Sequence, residues 1–115
     1  MPGESSLIYY LGVYYFENKL DESVIFDWDE NKAKFNLQKH GVSFEEASSV
    51  FYDDLSRTVL DPFSSVGESR FLTLGLSAAM NILLVVHTKV EENCIRIISA
   101  RQATKDERRK YEQYR

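Results

Sequence analysis

His87 interrupts an otherwise apolar run, Ile82-Leu83-Leu84-Val85-Val86, and Arg96 follows shortly after it. With Glu91-Glu92 as a two-residue hairpin turn, His87 pairs with Arg96 across the strands. Arg70 and Lys89 then fall on the same sheet face. Basic groups crowded on one face repel unless something anionic sits between them. A phosphodiester suits them, because arginine offers a planar fork to phosphate oxygens. Histidine titrates near neutrality and can move a proton. The same residues have a plainer account: a core histidine satisfied by a backbone carbonyl, with arginines at the sheet margin. Arg101 stands on the other parity of its strand from Arg96, near the strand end, where a twist or bulge can re-aim it.

The elements that must position these groups are legible from period and punctuation. Val24-Ile25-Phe26 is a short strand candidate. Asp29 is a good N-cap, with Trp28 and Ala33 placed to staple the entry. Ala33 and Leu37 share the next helix face, and Gly41 after His40 is a left-handed stop. Ser43 and Glu46 have capping-box spacing, Val42 and Ala47 staple it, and Phe44, Ala47, Val50 and Phe51 follow at helical spacing. The period then changes to two. Strands are expected at Arg57–Leu60, Arg70–Ser77, Ile82–Thr88 and Cys94–Arg101, with Ile82–Val86 central. Thr104 and Glu107 form a second capping box that opens a last helix. The expected fold is α+β: two N-terminal helices, a central antiparallel sheet of about four strands, and a C-terminal helix. Leu37, Phe44, Val50 and Phe51 are expected in its core.

Composition narrows the function. The 115 residues hold one cysteine, Cys94, which excludes an intrachain disulfide and a zinc finger or ribbon and fits a reducing compartment. His40 and His87 are the only histidines, too few for a histidine-based metal site. There is no glycine-rich phosphate loop and no nucleophile elbow. The aromatic run Leu7–Phe16 is too short to span a bilayer and lacks signal-peptide flanks, so a cytoplasmic protein without membrane contact is expected. Net charge is −4, but it is unevenly spread: residues 95–115 carry +4 and residues 1–94 carry −8. That asymmetry points to an anionic partner at the C-terminal end. A charge-rich, merely solvated last helix is the alternative. Its basic residues Lys105, Arg108 and Arg109 can grip an RNA backbone. Tyr111 and Tyr114 can stack on bases or dock the helix on the sheet.

The ordered motifs resemble a known family. Phe26-Asp27-Trp28-Asp29, Asn31-Lys32-Ala33, Leu37–Ser43 and Phe44-Glu45-Glu46-Ala47 look like the opening of the BrnT toxin family. The resemblance continues through Asp61-Pro62, Arg70–Gly75, Val85–Thr88 and Ile95–Arg101, and closes with Ala103-Thr104, Glu107-Arg108 and Tyr111. Residues 1–24 have no counterpart and read as an N-terminal extension, an added strand or a poorly ordered piece. Residues 25–115 form the toxin-like domain. The resemblance implies a RelE-like ribonuclease fold and a toxin of a type II toxin–antitoxin pair. It implies a BrnA-type antitoxin that masks the toxin and alone contacts operator DNA. It implies RNA cleavage without metal or other cofactor, by attack of the 2′-OH on the adjacent phosphate. On the matching positions, Arg70, Arg96 and Arg101 are assigned to phosphate stabilisation and His87 to proton transfer. Lys39, His40, Lys105, Arg108 and Arg109 are further RNA contacts. The competing expectation is a non-catalytic module of the same fold that serves as antitoxin partner or co-repressor.

Overall fold

Asp29 caps the first helix, α1 (Glu30–His40), by accepting hydrogen bonds from the backbone N–H groups of Asn31 and Lys32. Gly41 ends it at φ 71°, the left-handed conformation expected there. The chain turns at once into α2 (Phe44–Ser49), where Ser43 Oγ accepts from Glu46 N. A single 3-10 turn, Val50–Tyr52, follows. These assignments come from a computed structural model in which residues 7–10, 13–16, 24–64, 69–91 and 93–113 are described.

The strands form one sheet. They are β1 (Leu7–Tyr10), β2 (Val13–Phe16), β3 (Ile25–Asp27), β4 (Arg57–Leu60), β5 (Phe71–Leu76), β6 (Ile82–Glu91) and β7 (Cys94–Gln102), and α3 (Lys105–Glu112) closes the chain. The spatial order is β1-β2-β4-β5-β6-β7-β3. The α+β class and the central place of Ile82–Val86 are as expected. The purely antiparallel sheet of about four strands is not: β3 lies parallel to β7, so the sheet is mixed, and β1 and β2 extend it beyond β4. The two helices are not N-terminal, because they follow β3 and precede β4.

The core lies between the sheet and the α1–α2 layer. Val42, Phe44, Ala47 and Val50 from the helical side meet Leu83, Val85, Ile97 and Ala100 from the sheet, with Phe26, Trp28, Ala33 and Phe51 packed around them. Phe44 and Val50 are therefore core residues, and Phe51 flanks the core. Leu37 corrects the expectation, since it is 52% exposed while Asn36 is buried in its place. The reason is hydrogen bonding. Asn36 Nδ2 donates to Val42 O and Ala100 O, and its Oδ1 accepts from Ala100 N. This side chain serves Ala100 as a neighbouring strand would, at a point of β7 past the three residues that pair with β3. Gly75 allows a similarly close approach: a Cβ there would come within 2.8 Å of Val50 Cγ1 and 2.9 Å of Ser56 Cβ.

Register decides which side chains share a face. Glu91 pairs with Cys94, so the β6–β7 turn falls one residue later than Glu91-Glu92. A register shift between Lys89 and Glu91 then takes up one residue, so that Lys89 pairs with Ile95, Thr88 with Arg96 and His87 with Ile97. A second irregularity lies between Val86/Ser99 and His87/Ile97, leaving Ile98 as a bulge.

Candidate functional site

Strand alternation, read from the pairs around that bulge, sorts the candidate residues. Phe71, Thr73, Val85, His87, Ile97 and Ala100 face the helices. Arg101, next to Ala100, starts on the opposite face, and so does Arg96, next to Ile97. An unbroken strand would have set these two arginines on opposite faces, because their separation is an odd number of residues. The extra residue at Ile98 restores them to one side. Arg70, immediately before Phe71, begins on that same side. The three arginines thus share the face turned away from α1 and α2, while His87 belongs to the other. The expected His87–Arg96 pairing is corrected: one residue of register slip moved them apart.

His87 is enclosed. Its side chain lies edge-on to Phe51, with ring centroids 4.7 Å apart, and near Phe71. Nε2 is 2.7 Å from Thr73 Oγ1, which is 2.8 Å from Thr58 Oγ1. The histidine is satisfied by a hydroxyl chain and not by a backbone carbonyl. Burial lowers its pKa from 6.5 to about 3, so the imidazole is neutral at physiological pH.

Each arginine has a distinct setting. Arg96 Nη2 donates to Asp27 Oδ2 at 2.7 Å, across the parallel β3–β7 pair in which the two residues are direct partners. Arg101 makes a bidentate ion pair with Glu107 of α3, Nη1 to Oε1 at 2.8 Å and Nη2 to Oε2 at 3.0 Å. The Glu107 hydrogen bond, ahead of its charge, raises the Arg101 pKa, and the same bond lowers that of Glu107. Arg70 is held through its backbone, N donating to Ser64 Oγ and O accepting from Asp61 N. Its Nε is buried and is the one such side-chain atom without a hydrogen-bond partner among the described residues.

The further RNA contacts divide between elements. Lys39 and His40 end α1, with Lys39 Nζ 5.7 Å from the Phe35 ring centroid. Lys105, Arg108 and Arg109 lie on α3, all exposed, with Arg109 paired to Asp106. Tyr111 docks the helix: it is buried, and its hydroxyl donates to Asp53 Oδ2 at 2.7 Å. Tyr114 lies outside the described residues. Two acids that resemble ordinary caps have further work. Asp53 also accepts from Leu76 N and Leu55 N, and Glu46 accepts from Ser77 Oγ and Asn81 Nδ2. Neither role has a signal in local sequence, because the tertiary partners lie 23 and 58 residues from Asp53 and 31 and 35 residues from Glu46. No group of three or more His, Cys, Asp or Glu side chains among the described residues is arranged to hold a metal ion. No helix among them is long and apolar enough to cross a membrane.

An α+β domain with a helical layer on one sheet face and arginines spaced along the other is the class of protein these features define. The fold is similar to the 1.1 Å crystal structure of the Brucella abortus ribonuclease toxin BrnT, with a TM-score of 0.50 and 24% identity over 72% of this chain and 100% of that one. Residues 28–107 match the family described as the ribonuclease toxin BrnT of type II toxin–antitoxin systems, and the chain belongs to that family. No curated protein matches it.

Proposed function

We propose that this chain is a metal-independent endoribonuclease that arrests growth from the cytoplasm and is neutralised by a BrnA-type antitoxin, through which alone it meets operator DNA. Membership of a type II toxin family implies an antitoxin partner and supports ribonuclease activity in general. The proposed reaction is attack of an RNA 2′-oxygen on the adjacent phosphorus. The 2′-hydroxyl loses its proton, the bond from phosphorus to the 5′-oxygen breaks, and that oxygen gains a proton. The products are a 2′,3′-cyclic phosphate and a 5′-hydroxyl. The phosphorane gains negative charge on the way, and preorganised donors aimed at it are the largest catalytic contribution such a site can make.

The observation that carries this reading is the shared face of Arg70, Arg96 and Arg101. Arg70 brings a donor with no internal partner. Lys105, Arg108 and Arg109 extend the positive surface along α3, and Lys39 and His40 offer contacts at the end of α1. His87 is assigned to proton transfer by its motif position, but its burial, lowered pKa and place on the helical face all weigh against that role. The proposed site therefore rests on the arginines, with His87 supporting the sheet beneath them. The domain is taken as residues 25–115, with 1–24 as an extension outside the catalytic machinery.

A non-catalytic interaction module is the second reading. It is favoured by one observation: Arg96 and Arg101 already hold carboxylates, Asp27 and Glu107. Cleavage of a 5′-labelled RNA by the purified chain, with and without ribosomes, separates the two. The expected products carry a 2′,3′-cyclic phosphate and form equally well in excess chelator. Arg70→Ala, Arg96→Ala and Arg101→Ala each reduce the rate about 100-fold, the usual cost of one charge-stabilising donor. Absence of cleavage by folded wild-type protein under both conditions favours the module, and chelator-sensitive cleavage defeats metal independence.

A further inference from the structure

Arg101 has two places where it can hold an oxyanion with paired N–H groups: the end of the guanidinium, between Nη1 and Nη2, and its side, between Nε and Nη2. Glu107 occupies the end, and Nη1 additionally donates to Gln102 O at 3.2 Å. Among the described residues Nε and the second Nη2 hydrogen have no partner, and Arg101 Nε is not among the buried atoms left unsatisfied. The side of the fork is thus vacant and reachable.

Glu107 is itself immobilised. Its Oε1 accepts from Thr104 N at 2.8 Å, and its own N donates to Thr104 Oγ1, which completes a capping box. The carboxylate that grips Arg101 is fixed to the first turn of α3. Tyr111, one turn further, anchors that helix to Asp53. A chain of polar contacts therefore runs from the 3-10 turn through α3 to one guanidinium on the arginine face.

We propose that Glu107 is a positioning residue for RNA cleavage: its end-on grip holds Arg101 with the Nε/Nη2 side presented to the phosphate. This inference rests on the ribonuclease reading above. A carboxylate in this place does two further things. It restricts a long, rotamer-rich side chain before substrate arrives. It also prevents Arg101 from taking the phosphate end-on, which fixes the orientation in which the two meet.

The test is a double-mutant cycle on cleavage of a 5′-labelled single-stranded RNA by the full chain, using Arg101→Ala, Glu107→Ala, Glu107→Gln and the Arg101→Ala/Glu107→Ala double variant. Thermal unfolding of each is recorded alongside. Misplacement of a catalytic group costs up to about 100-fold, so Glu107→Ala is expected to lower kcat about 10- to 100-fold with little change in KM. In the Arg101→Ala background it should have no further effect on kcat, because nothing is left to position. Glu107→Gln keeps capping-box geometry and one oxygen for Arg101, so its loss should be smaller than that of Glu107→Ala. It also remains informative if Glu107→Ala does not fold. A rise in activity on removing Glu107 overturns the proposal, since the carboxylate would then be competing with phosphate. Equal loss from Glu107→Ala with and without Arg101 overturns it too. Wild-type activity of Arg101→Ala would instead defeat the assignment of Arg101 to the site, and is distinguishable from both.

Discussion

At the scale of single residues, the same two kinds of side chain met different fates. His87 is desolvated by its surroundings, whereas Arg96 and Arg101 keep contact with solvent and with carboxylates. Burial holds the folded-state pKa of His87 below its unfolded value of 6.5. Above pH 6.5 the ring is neutral in both states and its packing contributes fully to stability. As pH falls from 6.5 toward about 3, the unfolded chain binds a proton that the folded chain does not. Stability then declines by up to about 1.4 kcal/mol per pH unit from this group alone. Denaturant midpoints measured across that range for wild type and His87→Gln should show a steeper acid slope in wild type. In the cleavage assay, His87→Gln should leave the pH profile near neutrality unchanged. A flattened limb there would return the proton-transfer role to His87.

At the scale of elements, the strands were readable and their register was not. Alternating Leu72, Leu74 and Leu76, and the apolar run from Ile82, located β5 and β6 without ambiguity. The turn, however, fell one residue later than Glu91-Glu92, and a bulge at Ile98 followed. Two-residue periodicity carries no signal for either event, because a shift of one residue preserves the pattern while exchanging the faces. Both thus escaped local reading, and with them the true grouping of the arginines. Capping was legible where it is local, as at Asp29 and at Thr104 with Glu107. Asn36 was not, because its value depends on Ala100, which lies 64 residues away. Asn36→Leu restores an apolar stripe to α1 yet strips partners from Ala100 and Val42. The expected loss is on the order of 3 kcal/mol by denaturant unfolding, since buried backbone groups left unpaired cost more than the added apolar area returns.

Tyr111 belongs to the same scale. α3 is mostly polar, and its buried tyrosine and the Arg101–Glu107 pair are what fasten it. Tyr111→Phe keeps the ring and removes a hydrogen bond to a carboxylate. A loss of about 1.5–3 kcal/mol in unfolding free energy is expected. Hydrogen exchange of the α3 amides should accelerate more than that of β6.

At the scale of the whole molecule, among the described residues β1 and β2 join the sheet only through β4, while the helices, the core and the arginine face all lie between residues 25 and 112. Deleting Met1–Glu22 is therefore expected to leave a folded chain whose RNA cleavage stays within a few-fold of wild type. The check is cleavage rate together with thermal unfolding of the truncated protein. A folded but inactive truncation would place the extension in the site and move the domain boundary.

The parallel pairing of β3 with β7 has a consequence for how the chain is made. Ile25–Asp27 emerge before α1, α2 and the other strands of the core, and their sheet partners Cys94, Ile95 and Arg96 emerge after them. The helical layer likewise waits for Leu83, Val85, Ile97 and Ala100 to supply its other half. A nascent chain stopped anywhere before β7 has neither a closed core nor Arg96 and Arg101. Such a fragment leaves apolar helix surface uncovered and is expected to be cleared by proteolysis. Two of the three arginines proposed to act, Arg96 and Arg101, thus arrive together with the strand that closes the core.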